Sequence, residues 1–108
     1  MNERIISRNL LYLRRINNLT QEEMSKILGV SYGAIAHYEH GRREPDILSL
    51  VKLSEYFNVS VGDLLTVDLS LNPEFLKAQQ LRNKIISIIG SMDYESLVKL
   101  LKIIEIMR

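Results

Sequence analysis

Apolar side chains recur at spacings of three and four along most of the chain, and that period predicts one helix after another. In the first segment Ile6, Leu10 and Leu13 form one stripe, and Asn17-Asn18 ends it with residues tolerant of left-handed backbone, so helix is expected from Glu3 to Asn17. Thr20 with Glu23 makes a capping-box pattern ahead of Met24, Ile27 and Leu28, opening a short second helix that stops at Gly29. Ser31 caps a third helix, which points Ile35 inward and runs to Glu39 or His40 before Gly41. Asp46 caps a fourth, in which Ile47, Leu50, Val51, Leu53, Ser54 and Phe57 are expected to form one broad apolar face. Ser60 with Asp63 opens a fifth, ending near Leu65.

From Thr66 to Pro73 the helical period lapses into "TVDLSLNP", where Thr66 to Leu71 alternates in twos; this stretch, 66–73, is expected to be a linker. Two further helices follow, Glu74 to Ile89 and Tyr94 to Met107, separated by "GSMD". Eight of the eleven residues from Leu97 to Met107 are apolar, which leaves a polar strip of only Lys99, Lys102 and Glu105. Two helices of that length cannot cover each other so completely. The hairpin, 74–108, is therefore expected to dimerise, with Leu97, Leu100, Leu101 and Ile104 at the seam; folding back onto the first five helices is the alternative. The chain is all-α, with residues 1–65 as one five-helix unit.

Composition narrows the picture by exclusion. The 108 residues include no cysteine, which removes disulfides and thiolate metal sites and fits a cytoplasmic setting. Charges break every apolar run of the N-terminal stretch, so neither a secretory signal nor a membrane span is expected. His37 and His40 lie three apart with Glu39 between them, but no third ligand stands at a zinc-site spacing. Without a nucleophile and base pair or a phosphate loop either, no enzyme, metal or cofactor is expected. Net charge offers little: Met1 to Leu65 carry eight residues of each sign, so any affinity for nucleic acid must come from where charges sit.

Two short helices joined by "GVS", the second ending at a glycine turn, have the order of a helix-turn-helix, whose second helix enters the major groove of DNA. The stretch "LRRINNLTQEEMSKILGVSYGAIAHYEHGRREPDILSLVKLSEYFNVSVGDLL", Leu13 to Leu65, resembles the phage-repressor and Cro-like (XRE-type) helix-turn-helix family. Shared features are the order leucine-arginine, leucine-threonine-glutamine, leucine-glycine-valine-serine, isoleucine, glutamate, glycine-basic and proline. The resemblance implies a five-helix repressor-type fold for this part of the chain. It implies base reading by Tyr32, Gly33, Ala36 and His37, and backbone contacts by Gln21, Ser31, His40, Arg42 and Arg43, with Lys26 and Arg15 as lesser contributors. It assigns Arg14 and Glu39 to an ion pair between the first and third helices, and Met24, Leu28 and Ile35 to the core.

Many members of that family place arginine, glutamine or serine at the reading positions, where this chain has Tyr, Gly, Ala and His. One recognition helix of that composition discriminates weakly, and two copies on paired half-sites compensate. The expected function is a sequence-specific DNA-binding transcription regulator, a repressor bound to a palindromic operator of double-stranded DNA as a homodimer. Alternatives are an antitoxin or antirepressor-controlled regulator whose hairpin grips a different protein, and an interaction module that has lost DNA binding.

Overall fold

A computed structural model describes residues 4–108, so the expected start of the first helix at Glu3 lies outside the described residues. The helices are α1 (Ile5–Ile16), α2 (Gln21–Leu28), α3 (Tyr32–Glu39), α4 (Ile47–Phe57), α5 (Val61–Thr66), α6 (Pro73–Ile89) and α7 (Tyr94–Met107), with one 3-10 turn at Leu69–Leu71. Among the described residues there is no strand, and no helix is long and apolar enough to cross a membrane.

Local chemistry sets most boundaries. The hydroxyls of Ser31 and Ser60 and the carboxylates of Asp46 and Asp93 each accept a backbone N–H three residues on. Thr20 and Glu23 satisfy each other's backbone N–H at 3.0 and 2.9 Å, a complete capping box. Asn18 ends the turn after α1 at φ +54° and Asn58 closes α4 at φ +56°, both in the left-handed region that asparagine tolerates.

In the core, α1 packs against α3 and α5, and α2 against α3 and α4. Leu10, Leu13, Met24, Leu28, Ile35, Tyr38, Leu53 and Leu64 are all buried. On α4 the outcome differs from the single apolar face read in the sequence. Ser49, Leu53 and Phe57 point inward, while Ile47 and Leu48 are 80% and 62% exposed. At 3.6 residues per turn Ile47 and Val51 lie about 160° round the helix from Ser49, so the apolar residues form two stripes and only one meets the core.

The 66–73 stretch, which the lapse of period marks as a linker, is packed against α1. Asn9 is fully buried; its amide donates to the carbonyls of Leu64 (2.8 Å) and Val67 (2.7 Å), and its carbonyl accepts the Leu69 N–H (2.9 Å). Leu69 fills the space beneath, and Leu76 and Phe75 of α6 join the same core. Beyond Leu81 the hairpin leaves the core, and no residue of α7 is buried. The molecule is accordingly elongated, 49 × 27 × 23 Å.

Replacing Asn9 by alanine strands two carbonyls and one N–H at once. At about 1–3 kcal/mol for each unsatisfied buried group, with partial relief by water, Asn9→Ala should lower unfolding free energy by about 3 kcal/mol. Urea denaturation at unchanged m-value measures it, and a loss under about 1 kcal/mol would contradict the assigned role. A second prediction concerns acid. The Asp46 and Asp93 carboxylates are held below the ordinary 3.8 of a free aspartate, first by the backbone N–H each caps, at Ser49 and Ser96. Asp68 is lowered too, chiefly by the Ser70 hydroxyl. A depressed carboxylate stabilises the fold above its unfolded value and loses that contribution as pH falls through its folded value. Thermal midpoints should therefore stay level towards pH 5 and fall below about pH 4, with Asp46→Asn flattening part of the decline.

Candidate nucleic-acid interface

The orientation of α3 is set from both ends. Gly29 closes α2 at φ +69°, and a Cβ there would stand 2.9 Å from the Lys52 ammonium, so glycine is required twice over. Val30 and Ser31 complete the turn, and Ser31 accepts the Ala34 N–H at 3.2 Å. At its far end α3 gives way through His40 to Gly41 at φ +73°. The backbone then folds under, and the N–H groups of Arg42 and Arg43 donate to the His37 carbonyl at 2.9 and 3.4 Å.

Glu39 holds the helix against its neighbours. Its carboxylate, nearly buried, accepts Arg14 Nε at 2.5 Å and Arg14 Nη2 at 3.1 Å, a two-pronged ion pair from α1. Arg14 also donates to the Leu19 carbonyl at 2.9 Å. Gln21, first residue of α2, donates from its amide to the same Glu39 carboxylate at 2.9 Å. One side chain therefore joins α1, α2 and α3. The Gln21 contact has no sequence signature, since the two residues are eighteen apart and belong to different helices. Of the two amide N–H groups of Gln21, one is committed to Glu39; the other is what a phosphate would use.

Ala34, Ile35, Tyr38 and Glu39 face inward, which turns the remaining face of α3 outward. Tyr32 is 58% exposed, Gly33 and His37 are exposed, and Ala36 is half-buried. No atom lies within 4 Å of where a Gly33 Cβ would stand, so nothing inside the protein demands glycine there. Beside the helix end, His40 and Arg42 are exposed, and the Arg43 guanidinium lies over the Tyr38 ring, 5.5 Å from its centroid. Stacking of that kind presents the planar fork of arginine in a restricted orientation. Lys26 is exposed but sits 3.7 Å from Glu22, one turn back, and Arg15 is exposed at the end of α1. The structure thus gathers Tyr32, Gly33, Ala36 and His37 on one outward strip, with Gln21 at one margin and Arg42 and Arg43 at the end. Among the described residues no group of three His, Cys, Asp or Glu side chains is placed to hold a metal ion.

A helix-turn-helix family model matches residues 10–64, half of the chain and the same stretch that carries the capped α2, the Gly29 turn and α3. The chain belongs to the helix-turn-helix family. Relatives agree. An uncharacterized HTH-type transcriptional regulator of Methanocaldococcus jannaschii is 38% identical over 55 residues, covering 51% of this chain and 83% of that protein. Control protein C.SmaI of Serratia marcescens is 36% identical over 62 residues, 57% of this chain and 74% of the other. Antitoxin PezA of Streptococcus pneumoniae is 33% identical over 69 residues, 64% of this chain but 44% of that protein. In fold, the helix-turn-helix chain is similar to a solved transcriptional regulator from Listeria innocua with a TM-score of 0.55 at 24% identity, covering 93% of this chain and 89% of the other.

The bond network around Glu39 predicts an ordering of mutational costs. Glu39→Ala leaves the half-buried Arg14 guanidinium without its counter-charge and should destabilise by about 3 kcal/mol, whereas Gln21→Ala removes one hydrogen bond and should cost about 1 kcal/mol. Chemical denaturation of the two variants checks the order, and equal costs would show that Arg14 finds another acceptor.

Proposed function

We propose that this helix-turn-helix protein is a cytoplasmic, sequence-specific transcription regulator, acting as a repressor that occupies a palindromic operator as a homodimer. One observation carries the reading: the outward strip of α3 is free of intramolecular work, while its inward face is locked through Glu39 to two other helices. A rigid scaffold presenting a small, solvent-facing strip between donors is what insertion into a major groove requires.

In this reading Tyr32 and His37 meet base edges, and Gly33 and Ala36 keep the strip low enough for the helix to sit deep. Tyr32 offers a hydroxyl and a ring that suits a thymine methyl; His37 donates to guanine N7 or O6. Gln21, Ser31, His40, Arg42 and Arg43 hold the phosphate backbone, with the stacked Arg43 as a fork set in advance. Placement answers the neutral total charge: the basic groups cluster at the end of α3, while Glu39 is spent internally. Two base-reading side chains give modest discrimination, so dimerisation and sequence-dependent DNA shape supply the rest.

The hairpin supplies the dimer. Leu101 and Ile106 are 56% and 84% exposed, and Leu81, Ile85, Ile88, Ile103 and Ile104 are exposed beside them. A contiguous apolar surface of that kind is what an interaction site presents. A second copy, through Leu97, Leu100, Leu101 and Ile104, covers it symmetrically. The likeness to an antitoxin favours a second reading, in which the hairpin grips a different protein, a toxin or antirepressor. Sedimentation of the purified chain separates the two: a stable dimer supports the first, and a monomer the second.

DNA binding itself is tested by selection from a random duplex pool followed by salt titration. The expected outcome is an inverted repeat, bound with a steep loss of affinity as salt rises. Arg43→Ala should weaken all sequences alike and lower the salt slope by about 1, whereas His37→Ala should cost about 1–3 kcal/mol at one base position and relax preference there. No affinity for random DNA at low salt would overturn the reading.

A further inference from the structure

The hairpin is joined to the DNA-reading head by a stapled contact. Three amide side chains of α6 reach across to the ends of α4 and α5: Gln79 donates to the Asp63 carboxylate at 3.1 Å, Gln80 to the Phe57 carbonyl at 2.8 Å, and Asn83 to the Asn58 carbonyl at 3.0 Å. The last two acceptors lie where α4 has stopped at Asn58, so no helical N–H follows to satisfy them. At the other flank of the joint, Asn9 holds the backbone of Leu64, Val67 and Leu69, and Arg8 pairs with Asp68 at 2.9 Å. Leu69 and Leu76 are buried between the two flanks.

Bonds on both sides of a buried apolar pair oppose rotation about more than one axis. The lever beyond them is long. Helix α6 has 17 residues, which at 1.5 Å each is about 25 Å, so a swing of about 10° at the joint moves its far end by about 4 Å. One base pair adds about 3.4 Å along the duplex and turns the next half-site by about 35°. The angle at this joint and the spacing of half-sites are therefore matched in scale.

We propose that this joint fixes the separation of the two recognition helices in the dimer, making Gln80 and Asn83 positioning residues that determine which half-site spacing the protein accepts. The proposal rests on the reading above, that the hairpin dimerises and α3 reads an inverted repeat. With the staples in place, only one spacing brings both copies of α3 into their grooves. Without them the joint behaves as a tether, and neighbouring spacings become accessible.

The experiment uses the full chain and duplexes carrying the selected half-site as an inverted repeat, its centre shortened or lengthened by one and two base pairs. The wild type should bind one spacing about tenfold or more tighter than its neighbours, the size of a typical single-site penalty. In the Gln80→Ala/Asn83→Ala variant that preference should shrink to about threefold or less, with single half-site affinity and dimer dissociation constant unchanged. Should the double variant fold poorly, Asn83→Ala alone carries the same comparison with a smaller expected change. A variant that keeps the wild-type spacing profile, or a wild type indifferent to spacing, overturns the proposal while leaving DNA binding intact. Loss of half-site affinity together with spacing preference also overturns it, because the residues would then be supporting the head. A wild-type chain that stays monomeric or ignores random DNA at low salt overturns the functional reading itself, and this proposal with it.

Discussion

A single buried carboxylate organises the DNA-facing half of this protein. Glu39 sits at the last turn of α3 and accepts donors from Arg14 on α1 and Gln21 on α2. Burying a charge is costly unless it is paired and hydrogen-bonded, and here three N–H donors converge on its two oxygens. Because the donors come from two helices, satisfying the charge and fixing the orientation of α3 are the same event. Every outward side chain of α3 inherits its direction from that requirement.

The same economy explains how a chain with almost no net charge can face nucleic acid. Acidic groups are used up at caps and pairs: Glu23 in a capping box, Asp46 and Asp93 at helix starts, Glu39 in the core, Asp68 against Arg8. The arginines after Gly41 lie beyond that network at the end of α3, with Arg43 resting on a ring. Total charge averages over these two populations and so conceals the difference between them.

Elements whose causes are local were legible in the sequence. Caps at Thr20, Ser31, Asp46 and Ser60, the left-handed stops after α1 and α2, and the all-helical class follow from residue chemistry within four positions. The family motif added the helix-turn-helix and the direction of α3. Features decided by distant packing were hidden. The apolar residues of α4 read as one face because both stripes are hydrophobic, and only the fold says that Ile47 and Val51 lie on the side away from the core. The stretch from Thr66 to Pro73 lacks helical period and so looks like a tether, yet Asn9, some sixty residues earlier, sews it down. Gln21 reads as a first-turn polar residue open to solvent, and its partner is known only once α2 and α3 have met.

Where α6 enters the core has a consequence for how such chains can be cut and rejoined. The family match ends at residue 64, but Leu69 and Leu76 complete the core that surrounds Leu64, and Gln80 and Asn83 close the carbonyl end of α4. The segment that is shared between relatives and the segment that folds are therefore of different lengths. A recombination breakpoint placed just after α5 would transplant the recognition surface while leaving behind part of its foundation. A breakpoint after Asn83 would carry the complete head and exchange only the assembly module, and it is there that new partners can be grafted without rebuilding the old core.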